Sequence, residues 1–205
     1  RIEGRPVGVI AYNPLHLGGA VDAPGADKAA RFMQLCDAFD IPLLVLVDTP
    51  GFMVGPESEK TATVRHFSRM FVTLGGMDVP LFTVVLRKAY GLGAIAMAGG
   101  YMNSGNFAVS WPTGEVGPMG LEGAVHLAHR RELAALEDPA ARQELYQKLV
   151  DKMYEQGKAL NAASFMEIDD VIDPADTRKW IMQGLRNIPT PPARSGKKRP
   201  MVDAW

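Results

Sequence analysis

Two stretches of the chain combine an apolar run with glycines at its end, a pattern that can place backbone donors beside a reacting group. The first covers residues 45–52 and reads VLVDTPGF. An Asp-Thr-Pro-Gly turn after a strand also presents the magnesium-linked aspartate of GTPases, but a nucleotide switch needs a G-x-x-x-x-G-K-[ST] loop to hold the phosphates. Gly-Lys occurs at 157–158 and 196–197, each time followed by the wrong residue. We therefore predict a strand-end turn here.

The second stretch, residues 86–100, reads LRKAYGLGAIAMAGG and passes from a strand into a helix that starts near Gly91. Backbone N–H groups at a helix start have no partner within the helix, and the helix dipole adds partial positive charge there. The N–H groups of Leu92 and Gly93, with Gly91 as the substitute, could therefore stabilise a developing oxyanion. The other interpretation is that these small residues only let the helix pack closely. The sequence alone leaves both open.

Side chains offer fewer candidates than the backbone does. Glu122, His126 and His129 share one face of a predicted helix, but no Cys or Asp completes a zinc pattern, and we predict no metal. Glu115 and Glu122 flank an apparent helix start, where capping explains them without catalysis. A hydratase-type reaction would require a pair of carboxylates near its substrate, and no convincing pair is present.

Composition limits the classes of partner and compartment. The 205 residues are 47% hydrophobic and 22% charged, with a formal net charge of −1, as expected for a globular chain with one sizeable core. A balanced charge gives no indication of nucleic acid or a membrane surface as a partner. No apolar run reaches the roughly 20 residues of a membrane span. The single cysteine, Cys36, excludes an intrachain disulfide and fits a reducing, cytoplasmic compartment.

Strands and helices alternate along the chain, which predicts an α/β fold. Buried-strand patterns occupy VGVIAY, IPLLVLVD, VPLFTVVLR and FAVSW, and helical patterns lie between them. In the helix that precedes the third strand, the predicted buried stripe consists of Val64, Phe67, Phe71 and Leu74.

The last third of the chain is predominantly helical. Asp138-Pro139 and Asp173-Pro174 are the predicted helix starts. Residues 1–188 are predicted to form one domain. Residues 189–205 are Pro-rich and basic, and we expect them to form a solvated tail or an arm that packs on a neighbour.

A family resemblance is carried by four motifs in order: RPVGVIAYNP, ADKAARFMQLCDAFDIPLLVLVDTPGF, VPLFTVVLRKAYGLGAIAM and WPTGEVGPMGLEGAV. Together they resemble the carboxyltransferase component of biotin-dependent acyl-CoA carboxylases, and more narrowly the C-terminal lobe of its β-type subunit. The resemblance runs from residue 1 to about residue 188. It implies the crotonase-like fold of the ClpP/crotonase superfamily, with repeated ββα units and a helical C-terminal part.

The resemblance also implies a chemistry. In that family one lobe binds the acyl-CoA, and the C-terminal lobe of a partner subunit receives carboxybiotin, whose CO2 moves to the α-carbon of the acyl thioester. One oxyanion hole stabilises the thioester enolate, and a second, in the C-terminal lobe, stabilises the ureido oxygen of biotin. By position, the second hole falls on Leu92 and Gly93, with Gly91 as the substitute. This chain reads Tyr90-Gly91-Leu92-Gly93 where the family often reads Tyr-Gly-Gly-Ala, so the choice of donors stays open.

The same resemblance assigns the binding residues and the partners. Gly51, Phe52 and Met53 are expected to form the wall of the biotin pocket, and Ile95 to line or narrow it. The implied cofactor is biotin, as carboxybiotin on a carrier domain; a coenzyme A thioester is the substrate, and no metal is implied in this lobe. The implied partners are the biotin carboxyl carrier protein and the biotin carboxylase component, in a homo-oligomer that is built from dimers or is a hexamer.

Three points leave alternatives open. The chain has no initiator Met and enters a strand almost at once, so we expect a fragment that lacks the acyl-CoA-binding lobe and is inactive on acyl-CoA alone. A biotin-dependent decarboxylase or transcarboxylase runs related half-reactions on the same scaffold, and the sequence does not separate them. A non-catalytic module for dimerisation or carrier docking is a further interpretation, which depends on whether anything binds near Leu92 and Gly93.

Overall fold

The computed structural model describes residues 1–203, which form a parallel sheet with helices on both faces. The strands are β1 (Gly8–Ala11), β2 (Leu43–Thr49), β3 (Leu81–Tyr90), β4 (Phe107–Ser110), β5 (Glu115–Gly117) and β6 (Asp170–Val171). The helices are α1 (Ala23–Ala38), α2 (Pro56–Glu59), α3 (Thr63–Gly75), α4 (Gly91–Met97), α5 (Leu121–Ala128), α6 (Arg130–Ala134), α7 (Pro139–Gln156), α8 (Ala159–Ser164) and α9 (Thr177–Asn187). Short 3₁₀ turns lie at Leu17–Gly19, Met102–Ser104 and Pro174–Asp176.

The strand order places the ends of β2 and β3 side by side. The order is β1-β2-β3-β4-β6, all parallel, and β5 pairs with the end of β3. Helices connect the neighbouring strands, with α1 before β2, α3 before β3 and α4 before β4. The pairing of β2 with β3 shifts around Asp48, from Val47–Val85 to Thr49–Ala89. The glycine-containing ends of both candidate stretches therefore lie at the carboxyl ends of neighbouring parallel strands.

The two faces of the sheet pack against different helices. The face that carries Val45 packs on α1 and α3, where Met33 and Met70 are fully buried. The opposite face packs on α9 through Phe82 and Phe107, whose ring centroids lie 4.9 Å apart. A separate apolar cluster holds α6 and α7 against α5. Burial on both faces explains why β2 and β3 read as continuous apolar runs. No helix within residues 1–203 is long and apolar enough to cross a membrane.

The two predicted cap residues of the C-terminal part are confirmed. Asp138 accepts the N–H groups of Ala140 and Ala141 at the start of α7. Asp173 accepts the N–H of Ala175 and caps the 3₁₀ turn that leads into α9. In both places a short side-chain acceptor satisfies backbone donors that the helix itself leaves unpaired.

The predicted buried stripe of α3 is only partly confirmed. Phe67 is buried, and Phe71 and Leu74 are partly buried against the same core. Val64 is exposed, and Met70 is fully buried instead. Positions 63, 67, 70 and 74 follow the three- and four-residue spacing of one helix face, and Val64 lies one position away from it.

Residues 194–203 are mostly exposed, as expected of a solvated tail, but several of their side chains also contact the chain's own helices. Lys198 and Arg199 reach the carboxylate of Asp37 in α1, with Nζ–Oδ1 and Nε–Oδ2 distances of 2.7 and 2.6 Å. Asp203 and the side-chain amide of Gln34 exchange two hydrogen bonds. The buried Asp37 carboxylate requires charged partners, and the basic tail supplies them. The last two positions of the predicted tail, 204 and 205, lie outside the described residues.

Candidate functional site

β2 ends in a turn that one buried hydroxyl holds in place. The Thr49 hydroxyl donates to the carbonyl of Gly19 at 2.8 Å and accepts the N–H of Gly51 at 3.1 Å. Gly51 has a φ of +120°, which residues with a side chain rarely adopt. The Asp-Thr-Pro-Gly segment is thus a strand-end turn, as predicted.

The aspartate of this turn takes part in an ion pair between two strands. The Asp48 carboxylate accepts hydrogen bonds from Nη2 and Nε of Arg87 at 3.0 and 3.2 Å. It also accepts one from the backbone N–H of Lys88 at 3.2 Å. The hydrogen bond and the charge of Asp48 raise the pKa of Arg87. Because Asp48 lies in β2 and Arg87 in β3, the pair connects the two strand ends at the register shift.

Beyond the turn, Phe52 and Met53 lie against the loop that follows β1. The N–H of Val21 donates to the Gly51 carbonyl at 3.0 Å, and the N–H of Met53 donates to the Val21 carbonyl at 2.8 Å. The Phe52 ring stacks on Phe67 of α3, with centroids 3.9 Å apart. Phe52 and Met53 are partly buried against the main core, so this apolar surface has a fixed position.

α4 starts directly at the end of β3, and its first residue is a glycine for a conformational reason. Gly91 has a φ of +59°, and a Cβ added there would lie 2.8 Å from the Pro118 carbonyl oxygen. Tyr90, the N-cap residue, makes no side-chain cap hydrogen bond; its hydroxyl donates instead to Glu115 Oε2 at 2.6 Å. Burial, and then this contact, raises the pKa of Tyr90. The Tyr90 side chain therefore leaves the first-turn N–H groups of α4 uncapped.

The two candidate stretches meet where the first turn of α4 crosses the β2 turn. A Cβ added at Gly93 would lie 2.7 Å from the carbonyl carbon of Gly51 and 2.8 Å from the nitrogen of Phe52. Glycine at position 93 is therefore required for the close approach of the two backbones. Leu92 is 63% exposed at the outer side of this turn, and Ile95 is partly buried. All the predicted site residues thus lie at one edge of the sheet.

The acidic and histidine candidates do not converge on one point. Each contacts a different neighbour: Glu115 with Tyr90, Glu122 with Tyr154, His126 with Tyr146, and His129 with Glu132. Glu115 lies in β5, so its predicted helix-capping role is wrong. The Tyr154 hydroxyl lowers the pKa of Glu122, and Glu122 raises the pKa of Tyr154 to about 12. Between residues 1 and 203, no group of three or more His, Cys, Asp or Glu side chains is placed to hold a metal ion.

Tyr12, in the loop after β1, was not predicted and contacts the site directly. Its hydroxyl donates to the Gly93 carbonyl at 3.1 Å. Burial raises the pKa of Tyr12, and the neighbouring Thr49 hydroxyl lowers it by less. No local pattern in the sequence indicates this contact, because residues 12 and 93 meet only through the tertiary fold.

Among the candidate residues, Leu92 is exposed, Gly51 and Gly93 are buried, and the others are partly buried. Cavities of about 590, 1000 and 600 Å³ occur elsewhere within residues 1–203. They lie beside the β1 edge, between the tail and the strand starts, and along α7, and none of the predicted site residues lines them. Because Leu92 is exposed, the α4 start is accessible to a ligand or to a second surface.

The fold and the site together define a class: an α/β lobe in which a glycine turn and a helix start meet at the carboxyl ends of parallel strands. Residues 1–200 match the family model described as Carboxyl transferase domain. The chain belongs to this carboxyl transferase family. The β6 subunit of the biotin-dependent acetyl-/propionyl-coenzyme A carboxylase of Mycobacterium tuberculosis is 39% identical over 201 residues, which cover 97% of this chain and 41% of that protein.

Solved structures of an acyl-CoA carboxylase and of a transcarboxylase are also similar to this chain. A single-chain, multi-domain long-chain acyl-CoA carboxylase has a TM-score of 0.80 and 54% identity, over 89% of this chain and 18% of that one. The transcarboxylase 12S crystal structure, a hexamer with methylmalonyl-CoA and methylmalonic acid bound, has a TM-score of 0.83 and 37% identity, over 96% of this chain and 38% of that one. The predicted crotonase-like fold is confirmed. The chain spans only 35% to 41% of the length of the curated relatives it matches.

Proposed function

We propose that this chain is the carboxybiotin-receiving lobe of a biotin-dependent acyl-CoA carboxyltransferase of the acetyl- or propionyl-CoA carboxylase type. It would help to transfer CO2 to the α-carbon of an acyl-CoA thioester. The observation that carries the proposal is the contact between Gly93 at the α4 start and Gly51 in the β2 turn. The family match over residues 1–200 supports it. In this proposal residues 1–188 are the catalytic lobe, and residues 189–205 are a basic tail, of which residues 194–203 contact the lobe.

The residues at this edge of the sheet fit the ring system of biotin. Its ureido oxygen is a hydrogen-bond acceptor, and the first turn of α4 offers backbone donors at the positive end of a helix dipole. We assign the donors to Leu92 and Gly93, with Gly91 as the substitute. The apolar wall then consists of the β2 turn and one residue of α4: Gly51, Phe52, Met53 and Ile95.

Carboxybiotin, when bound on its carrier domain, supplies the carboxyl group. The chain's own contribution is electrostatic, because N–H groups fixed in a helix turn need no reorganisation when negative charge develops on an oxygen atom. One donor of this kind is typically worth about 100- to 1000-fold in rate. The proposal assigns no proton transfer to a side chain of this lobe and no metal to it.

Partners are part of the proposal, because the exposed Leu92 leaves the α4 start accessible. We propose that the acyl-CoA-binding lobe of a partner subunit covers the α4 start, and that the biotin carboxyl carrier protein enters between the two lobes. The biotin carboxylase component would reload the carrier. A homo-oligomer built from dimers follows from this arrangement. A hexamer is the assembly we propose, since the related transcarboxylase 12S forms one.

A transcarboxylase or decarboxylase is the second candidate function, favoured by the similarity to transcarboxylase 12S. The two candidates share the half-reaction at biotin and differ in the acyl acceptor and in the chains that assemble with this lobe. Mass spectrometry of the subunits that copurify with this chain from its source would therefore separate them.

The decisive test is decarboxylation of free carboxybiotin by the 205-residue chain, with Leu92→Pro and Leu92→Ala compared. Both substitutions remove the same exposed side chain, but only proline removes the N–H, and proline is tolerated in the first turn of a helix. We expect Leu92→Ala to retain the wild-type rate and Leu92→Pro to lose about 100-fold. Circular dichroism of each variant controls for folding.

The outcomes distinguish the alternatives. If the wild type is active and Leu92→Pro and Leu92→Ala have equal rates, donors other than the Leu92 N–H stabilise the charge. If the wild type accelerates nothing, even with the acyl-CoA-binding lobe added, the lobe is a non-catalytic assembly module. Carboxylation of acyl-CoA by this chain alone would contradict the division of roles between two lobes.

A further inference from the structure

Two hydroxyls lie beneath the candidate site, that of the partly buried Tyr12 and that of the buried Thr49, and each contacts one half of the site. The Tyr12 hydroxyl donates to the Gly93 carbonyl in α4 at 3.1 Å. The Thr49 hydroxyl accepts the N–H of Gly51 in the β2 turn at 3.1 Å and donates to Gly19 at 2.8 Å. The Thr49 hydroxyl also lies close enough to Tyr12 to lower its pKa. The pair therefore joins the loop after β1, the end of β2 and the start of α4.

Water cannot easily replace the Thr49 contacts, because Thr49 is fully buried. Tyr12 is partly buried and lines the 590 Å³ cavity. Burial raises the pKa of Tyr12, so the phenol stays protonated and remains a donor throughout the physiological range. A buried acceptor that loses its donor is costly to leave unpaired.

We propose that Tyr12 is a positioning residue for the backbone donors of α4, acting through the Gly93 carbonyl, and that Thr49 positions the Gly51 half of the same site. The inference rests on the proposed function. α4 has only seven residues and no side-chain cap, so its first turn is held by its close packing on the β2 turn and by the Tyr12 hydrogen bond. An oxyanion donor works over a narrow range of about 2.7 to 3.1 Å, so a small rotation of this turn would weaken the site.

A positioning role makes a different prediction from a purely structural one. A tyrosine that only stabilises the fold would lower the unfolding midpoint and leave each folded molecule fully active. A tyrosine that orients α4 would change the hydrogen bond between the site and its ligand in molecules that remain folded. The rate constant kcat should then fall, with little change in KM.

The test compares Tyr12→Phe with Tyr146→Phe, which removes a hydroxyl from α7, where the Tyr146 ring stacks on His126. Amide NMR spectra of the 205-residue chain are recorded during titration with free biotin, and kcat and KM are measured for carboxybiotin decarboxylation. In the wild type and Tyr146→Phe, we expect biotin to move the Leu92 or Gly93 amide proton downfield. In Tyr12→Phe, we expect a smaller shift and a kcat about tenfold lower, the loss of roughly one hydrogen bond.

Thr49 provides a second, independent pair of variants. Thr49→Val, which removes the hydroxyl, should reduce the biotin-induced amide shift in the same way, and Thr49→Ser, which keeps it, should restore the shift. Circular dichroism and the unfolding midpoint identify any variant that does not fold, and the remaining variants then carry the test.

Each result has one meaning. If biotin moves no amide proton of residues 91–93 in the wild type, even with the acyl-CoA-binding lobe added, the proposed biotin site is refuted, and this inference with it. If the wild type and Leu92→Pro behave as proposed but Tyr12→Phe matches Tyr146→Phe in kcat and in amide shift, only the positioning role is refuted. The same holds if Tyr12→Phe loses stability alone.

Discussion

Replacement of Asp37 by alanine should destabilise the fold by about 3 kcal/mol, because its carboxylate holds four donors while the side chain is 1% exposed. The donors are the N–H groups of Asp78 and Val79, at 2.9 and 3.3 Å, and the cations of Lys198 and Arg199, at 2.7 and 2.6 Å. Removing one partner of a buried ion pair costs about 3–5 kcal/mol. We take the lower end because the tail can move away and return both cations to water.

The measurement is urea denaturation at pH 7, followed by circular dichroism, for the wild type, Asp37→Ala and Asp37→Asn. The asparagine keeps one carbonyl acceptor for the backbone donors but loses the charge, so its loss should lie between zero and that of alanine. A change of about 1 kcal/mol shifts the midpoint temperature by ~2–4 °C in chains of about this size, so Asp37→Ala should melt ~6–12 °C lower. Asp151→Ala, at an exposed site of α7, is the matched control and should change stability by less than about 0.5 kcal/mol.

The pH dependence provides a separate check of the same contact. Burial alone would raise the pKa of Asp37, but hydrogen bonds from Lys198, the Asp78 N–H and Arg199, with the Lys198 charge, outweigh it and hold the pKa below its usual value. A depressed carboxyl pKa contributes stability above the unfolded pKa of about 4, and this contribution is lost as the pH falls through the folded pKa. Wild-type stability should therefore fall more steeply below about pH 4 than that of Asp37→Asn. The proposed buried ion pair of Asp37 with Lys198 and Arg199 would be refuted if Asp37→Ala lost less than about 1 kcal/mol of stability. It would also be refuted if the stability of the wild type and of Asp37→Asn fell equally steeply with pH below about pH 4.

Two further predictions concern the core and the contact between the candidate stretches. Thr83 Oγ1 is buried without a hydrogen-bond partner within residues 1–203, so Thr83→Val should raise the free energy of unfolding by about 1 kcal/mol in urea denaturation; a loss of similar size would contradict this reasoning. Gly93→Ala should cost about 1–3 kcal/mol, because its Cβ would meet the Gly51 backbone at 2.7 Å. The control Gly75→Ala has open space at the end of α3 and should be neutral or stabilising by up to about 1 kcal/mol. Equal effects at the two glycines would show that the contact is not tight.

Local sequence chemistry predicts most of the elements of this fold. The apolar runs of β2 and β3 indicate strands buried on both faces, and helices cover both faces. Asp138 before Pro139 indicates the start of α7, since a short acceptor and a residue without an N–H both suit a helix start. The sequence also indicates the strand-end turn at Gly51 and the helix start at Gly91. In the structure both glycines adopt a positive φ, which residues with a side chain rarely do.

The sequence could not predict contacts between segments that lie far apart along the chain. The tail at Lys198 and Arg199 is apolar-poor, and composition alone indicates a solvated segment. Its docking depends on Asp37, 161 residues earlier in the chain, which reads as one more charge on an amphipathic helix until the fold buries it. The Val64 error has a different origin: several apolar residues of α3 can be fitted to more than one face, and only packing decides between them.

The two interpretations of the glycine-rich stretch do not exclude each other. Gly93 is a packing residue, since its Cα lies against the Gly51 turn and leaves no room for a side chain. Gly91 is a conformational residue, since its φ of +59° turns the chain from β3 into α4. Leu92, between them, has no such constraint, and its side chain is exposed. The packing glycines hold the turn in which the Leu92 N–H is fixed, which is why a leucine can stand at the proposed donor position and why Leu92→Pro is the sharper test of the site.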